Sequence, residues 1–200
     1  MAMKLLHAAL IFAASLFAPF ASAQSLNDAY FEEMQNLSLS ENITSPKVPE
    51  RSHASLKASM HSLAVEIAKR GYKVETMRKG EVVIVTIPTD NLFAPNDTLL
   101  IDGAAERHLA PITAYLNRPG KYKFLLAVHS DDTGSEEYTI DLTTKRVEAL
   151  YAWFDARNSS SSRYVFGYPM GDTSPILPNN TRANRAANRR LEIYIVPLEF

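Results

Sequence analysis

Apolar and polar positions fall into two periods along this chain, and the switches between them outline its elements. Leu56, Met60, Leu63, Val65, Ile67 and Ala68 recur near helical spacing and predict a helix running to about Arg70 with one apolar face. Ser52 or Ser55 is placed to cap its start, and Gly71 to end it in a left-handed conformation. Two β-like runs follow, 72–77 and 82–87. Arg78-Lys79-Gly80-Glu81 between them predicts a hairpin. The unbroken Val82-Val83-Ile84-Val85 predicts a strand covered on both faces or central in a sheet, and Pro88 ends it.

Residues 91–95 read as a loop. Asn96 or Asp97 can cap a helix reaching about Asn117, closed by Pro119-Gly120. Pro111 inside it removes the bond to the carbonyl of Arg107, which predicts a kink or a restart. Tyr122, Phe124, Leu125, Leu126 and Val128 mark a strand over 121–129. After a turn at 130–135, Ile140, Val147, Leu150, Tyr151 and Phe154 mark a helix over 136–156, with Thr133 and Glu136 at capping-box spacing. A strand at 164–168, a long loop, a short basic helix at 181–188 and a strand at 191–196 complete the chain. The order ββαβαβαβ from Tyr72 onward predicts an α/β sandwich, a mixed β-sheet with helices packed on it.

The first 23 residues stand outside this pattern. Lys4 is the only charge before Asp28, the apolar run from Leu5 to Phe20 is 16 residues, and Ala21-Ser22-Ala23 fits a signal-peptidase cut. The run is shorter than the ~20 residues a membrane-spanning helix needs. A signal peptide at 1–23 is expected, then a polar extension and linker at 24–52, in which Ala29-Tyr30-Phe31 is a short apolar patch, then a folded domain at 53–200.

Composition narrows the chemistry. The 200 residues carry 21 basic and 22 acidic side chains, a net charge of −1, which gives no support to nucleic-acid binding. Seven glycines form neither GxxxxGK[ST] nor GxGxxG. With no cysteine there is no disulfide, thiolate zinc site, cysteine nucleophile or lipidated cysteine in this sequence, and export without cysteine points to a bacterial envelope. No two histidines stand at metal-helix spacing, no GxSxG string occurs, and no catalytic set, metal site or cofactor site is marked. His129 at a strand end reads as a structural hydrogen-bonding residue.

The informative region is the second half. Asp131 follows a strand in a Gly-containing turn that leads into a helix, and Arg146 lies inside that helix. An acid and an arginine near such a point could grip a zwitterion, the carboxylate taking an ammonium and the guanidinium a carboxylate. The alternative is a mutual surface ion pair, worth ~0–1 kcal/mol. Arg182, Arg185, Arg189 and Arg190 form a basic run that reads as a solvated helix face or a polyanion contact.

The segment from about Val82 to Val196 resembles the OmpA C-terminal-like, or OmpA/MotB/Pal, peptidoglycan-binding domain. His129-Ser130-Asp131-Asp132-Thr133-Gly134-Ser135 is similar to that family's GHTD-x-x-G string. Tyr138 and Leu142-Thr143-Thr144-Lys145-Arg146-Val147 follow Y-N-x-x-L-S-x-x-R-A, and Gly167-Tyr168 with Pro175-Ile176 follows GYG-x-x-x-P. Asn179-Asn180-Thr181 and Arg185 through Ile193 follow N-x-T-x-x-G-R-A-x-N-R-R-V-E-I, while residues 90–97 follow the F-x-x-x-S segment loosely. The resemblance implies a βαβαβ mixed sheet and noncatalytic anchoring to the cell wall through the diaminopimelate of the peptidoglycan stem peptide. It places the recognition aspartate on Asp131 and the arginine on Arg146, with Thr133, Arg189 and Arg190 lining the same site. Thr139, also expected to bind the ligand, stands where the family has asparagine, Asn184 where it has glycine, Val128 and Ser130 replace Gly and Thr around His129, and two extra residues lengthen Tyr168 to Pro175. The expected partner is peptidoglycan in the periplasm or at the outer membrane, with a further envelope protein reachable through residues 24–80. A module of the same fold that contacts a protein and has lost wall binding is the alternative.

Overall fold

The computed structural model describes residues 53–116, 122–157 and 164–197. The expected signal peptide, the 24–52 extension, the Ser52 cap and the Pro119-Gly120 closure lie outside them. Helix α1 (His53–Ala68) leads into β1 (Lys73–Met77) and β2 (Val82–Pro88). After a long loop come α2 (Ala104–His108), α3 (Ala110–Leu116), β3 (Tyr122–His129), α4 (Glu136–Arg157), β4 (Val165–Gly171), α5 (Arg182–Asn188) and β5 (Arg190–Pro197).

The five strands form one mixed sheet in the order β1-β2-β5-β3-β4. The pairs β1–β2, β2–β5 and β3–β5 are antiparallel, and β3–β4 is parallel, bridged by α4. Placing β5 between β2 and β3 brings the ends of three distant segments together, and the candidate site grows from those ends.

Strand alternation divides the buried residues. Val83, Val85, Phe124, Leu126, Ile193 and Ile195 face the helices and join one core with Leu56, Met60, Leu63 and Ile67 of α1 and Val147, Leu150 and Phe154 of α4. Ile84, Leu125, Ala127, Tyr194 and Val196 belong to a separate cluster on the other face. The run Val82–Val85 is buried at every position, as its unbroken apolarity predicts. On α1, Val65 and Ala68 are exposed and Ala64 takes their place in the apolar face.

Two local expectations, a helix start and a helix cap, are corrected, and the restart expected near Pro111 is found. No helix starts at Asn96 or Asp97. The Asp97 carboxylate instead accepts from the amides of Thr98 and Leu99, a local turn that competes with helix, and α2 begins only after Gly103 in a left-handed conformation (φ 68°). The helix then breaks at Leu109 and restarts at Ala110, which puts Pro111 in a first turn where its missing N–H costs nothing. The cap of α4 is Ser135, whose Oγ accepts from the amide of Tyr138, and not Thr133. The β1–β2 turn bears out the hairpin, with Arg78, Lys79 and Gly80 all at positive φ. Gly71 ends α1 at φ 90°, as expected of a helix terminator.

Candidate functional site

The site forms where β3 ends. Beyond His129 the amide of Ser130 donates to the carbonyl of Gly171 (2.7 Å), so the parallel pairing continues and carries Asp131 to a fixed position. Asp131 is 4% exposed. Its Oδ1 accepts from the amide of Thr133 (3.0 Å), and its Oδ2 from Nη1 of Arg189 (2.5 Å). Burial alone would raise this carboxyl, but the Arg189 and Thr133 bonds outweigh it and hold the pKa below the usual carboxylate range.

Arg189 caps α5, directly before β5. Its backbone is tied to the end of β2, where the amide of Thr89 donates to its carbonyl (3.0 Å). Its guanidinium also forks onto Asp90, Nε to Oδ1 at 2.9 Å and Nη2 to Oδ2 at 2.7 Å. Two carboxylates therefore share one arginine, and the Asp90 bonds, followed by those of Asp131, raise its pKa further. The preceding residue, Asn188, is wholly buried and pins the 172–180 loop. Its Oδ1 accepts from the amides of Ile176 and Leu177, and its Nδ2 donates to Leu177 O and Asn179 Oδ1.

Arg146 approaches from α4. It is 2% exposed, and its Cζ lies 4.9 Å from the centre of the Phe93 ring. Nε donates to the carbonyl of Asp97 (2.9 Å) and Nη2 reaches the carbonyl of Ala94 (3.4 Å). Nη1 is buried with no hydrogen-bond partner. Burial lowers its pKa, and Asp90 is the strongest of the charges opposing that shift, with Arg189 also acting on it. A guanidinium taken out of water and bonded only to carbonyls is costly to hold, and an anion at Nη1 would relieve that cost.

The structure brings Asp131, Arg189 and Arg146 to one end of the sheet, with Thr133 exposed in the adjoining turn. Asp131 hydrogen-bonds Arg189 and not Arg146, so the mutual ion pair is not the arrangement found. Two expected site residues turn elsewhere. Thr139 is wholly buried in the α4–β4 seam, its hydroxyl shared between Glu136 O and Asp172 Oδ1, both 3.0 Å away. Arg190 opens β5 on the other face of the sheet. There Nε donates to Glu192 Oε1 (2.7 Å), Nη1 to Asn188 O (3.2 Å) and Nη2 to Ser174 O (3.1 Å). His129 is buried on that face too, Nε2 3.5 Å from Glu192 Oε2, too long for the structural hydrogen bond expected of it.

Sequence reading missed Asp90, Phe93 and the carbonyls of Ala94 and Asp97. The loose match over 90–97 was the available signal, and an acid three residues before its phenylalanine was the part to weigh.

Comparison with known proteins accords with this geometry. No family model matches the chain. A MotB-like protein of Desulfovibrio vulgaris superposes with a TM-score of 0.60 at 21% identity, over 72% of this chain and 94% of that one. The cell wall anchor of the T6SS from Pseudomonas aeruginosa superposes at 0.53 with 26% identity, over 70% and 96%. The chain shares the fold of these MotB-like and cell-wall-anchor domains. Among curated proteins, the outer-membrane lipoprotein YfiB of Pseudomonas aeruginosa is 38% identical over 78 residues, 38% of this chain. The chain spans 58% and 45% of the lengths of the two curated relatives it matches. The mixed five-strand sheet and the helices packed on it follow the fold of the structural neighbours.

Proposed function

We propose that the protein is a noncatalytic anchor whose OmpA-like domain grips the diaminopimelate side chain of the peptidoglycan stem peptide. It works in the periplasm or at the outer membrane, the compartment of its relatives. The observation that carries this reading is Arg146, buried to 2% with Nη1 unpartnered and no carboxylate bonded to it. Asp90 and Asp131 supply two negative charges around the single positive charge of Arg189. One negative charge is left for an ammonium, and Arg146 is left for a carboxylate. That complement matches an amino-acid zwitterion. Thr133 stands at the rim.

The test is co-sedimentation with purified diaminopimelate-type sacculi, comparing wild type with Asp131→Asn and Arg146→Lys, each confirmed folded by circular dichroism. Wild type pellets, and each variant binds at least about tenfold more weakly, the scale of one charge-assisted hydrogen bond. Equal pelleting of all three refutes the clamp. The bond already made between Asp131 and Arg189 favours one other reading, a protein-contact module that keeps the fold and has lost wall binding. Folded wild type that stays in the supernatant would establish that reading in its place.

A further inference from the structure

Arg189 already has a buried anion in Asp131, whose side chain is 6% exposed. It nevertheless forks onto a second carboxylate, Asp90, whose side chain is 41% exposed and open to what enters from solvent. Neutralising Arg189 does not require Asp90, and an ion pair with so exposed an acid adds little to the fold. Asp90 also acts beyond that fork. Of the groups that favour the charged form of Arg146 it is the strongest, ahead of Tyr138 and Asp97. The Asp97 carboxylate is turned to the amides of Thr98 and Leu99, and Asp132 is matched by Arg185. Asp90 and Asp131 then face Arg146 and Arg189, and these four charges cancel.

We propose that Asp90 is the specificity-determining residue of this site, selecting acids that carry an ammonium over plain carboxylates. A site whose own charges cancel takes a ligand with one charge of each sign and leaves none unmatched. A plain carboxylate satisfies Arg146 but puts one negative charge in excess, and it meets repulsion from Asp90. Without the Asp90 charge the site holds one positive charge in excess, which suits a plain carboxylate and no longer a zwitterion. The acid is fixed by backbone as well as by its own fork. It lies in the turn Thr89–Asn91 at the end of β2, and the Thr89 amide ties that turn to the carbonyl of Arg189. This inference rests on the grip of Asp131 and Arg146 proposed above, and adds to it the residue that decides which ligand the grip accepts.

The test reads two dissociation constants on one sample of the full chain by NMR titration. One ligand is meso-diaminopimelate, and the other is pimelate, the same diacid chain without its amino groups. Wild type prefers diaminopimelate by at least about tenfold. Asp90→Asn loses that preference, because pimelate binds more tightly and diaminopimelate more weakly. Asp90→Ser removes the charge in a second way and follows Asp90→Asn, while Asp90→Glu restores the preference. Partial unfolding weakens both constants alike and leaves their ratio, so a folding defect cannot imitate the result. An Asp90→Asn ratio equal to that of wild type overturns the proposal and leaves Asp90 as a structural tie. Wild type with no preference between the two acids, including one that binds neither, overturns it as well. The wall reading fails separately. Wild type that selects diaminopimelate yet stays off sacculi refutes anchoring and keeps the role of Asp90.

Discussion

Arg146 and Arg190 are each 2% exposed, on opposite faces of the same sheet, and they are solvated by the protein in opposite ways. Arg190 donates from all three nitrogens, one bond going to the Glu192 carboxylate, which also accepts from Tyr194 Oη at 2.6 Å. That charge is closed off. Arg146 donates to two backbone carbonyls, has an unpartnered Nη1 and bonds no carboxylate. A buried charge with its counter-charge built in holds the fold together. One left open is a standing cost, and a bound anion would offset it. Burial alone does not separate the two arginines, and the motif comparison assigned both Arg146 and Arg190 to one site. The partners separate them.

The closed side should be the more damaging to break. Glu192→Ala leaves the Arg190 guanidinium buried without its anion and strips Tyr194 of its acceptor. The expected loss is about 3–5 kcal/mol of stability by urea denaturation, with sacculus binding of the folded fraction unchanged. A loss below about 1 kcal/mol would show that the network is not structural, and the contrast with Arg146 would collapse.

On the open side the pattern reverses. Arg146→Met removes two hydrogen bonds to carbonyls and also removes a desolvated charge, and these oppose each other. Stability should move by less than about 1 kcal/mol while sacculus binding falls at least about tenfold. A variant that unfolds along with losing binding would make Arg146 as structural as Arg190.

Much of this was legible in the sequence, for reasons that differ by residue. Strands and α4 were readable because their periodicity comes from burial, as in Val82–Val85 and in Val147, Leu150 and Phe154. The start of α2 was not, because the Asp97 side chain that could cap a helix at 97 closes a local turn there. Asp131 and Arg146 stood out by motif context. Asp90 did not, because its contact with Arg189 spans 99 positions and exists only since β5 lies beside β2. The opposite fates of Arg189 and Arg190 hinge on the exit angle of the α5 cap, where Arg189 leaves helical backbone at ψ 87°. A string of letters does not carry that angle.

The smallest effect sharpens the comparison by pH. Burial is the main cause that lowers the pKa of His129 below its ordinary 6.5, with Arg190 adding to the shift and Glu192 opposing it. As pH falls through about 6.5 the unfolded chain takes up a proton that the folded chain refuses. Stability contributed by the neutral imidazole is therefore full above that pH and lost below it, by up to about 1.4 kcal/mol per unit. Glu192 does not titrate in this window, since the His129, Arg190 and Tyr194 interactions outweigh its burial and hold it far below the carboxylate range. Wild type should lose about 1 kcal/mol between pH 7 and pH 5.5. His129→Gln should lose measurably less, and the difference isolates His129 from the other histidines. Asp131 is held below its usual range and stays ionised throughout, so sacculus binding per folded molecule should be flat across the same interval. Binding that falls in step with stability, and becomes flat in His129→Gln, would mean that protonating the closed network disturbs the open site through Ser130 and Asp131. The two faces would then act as one unit.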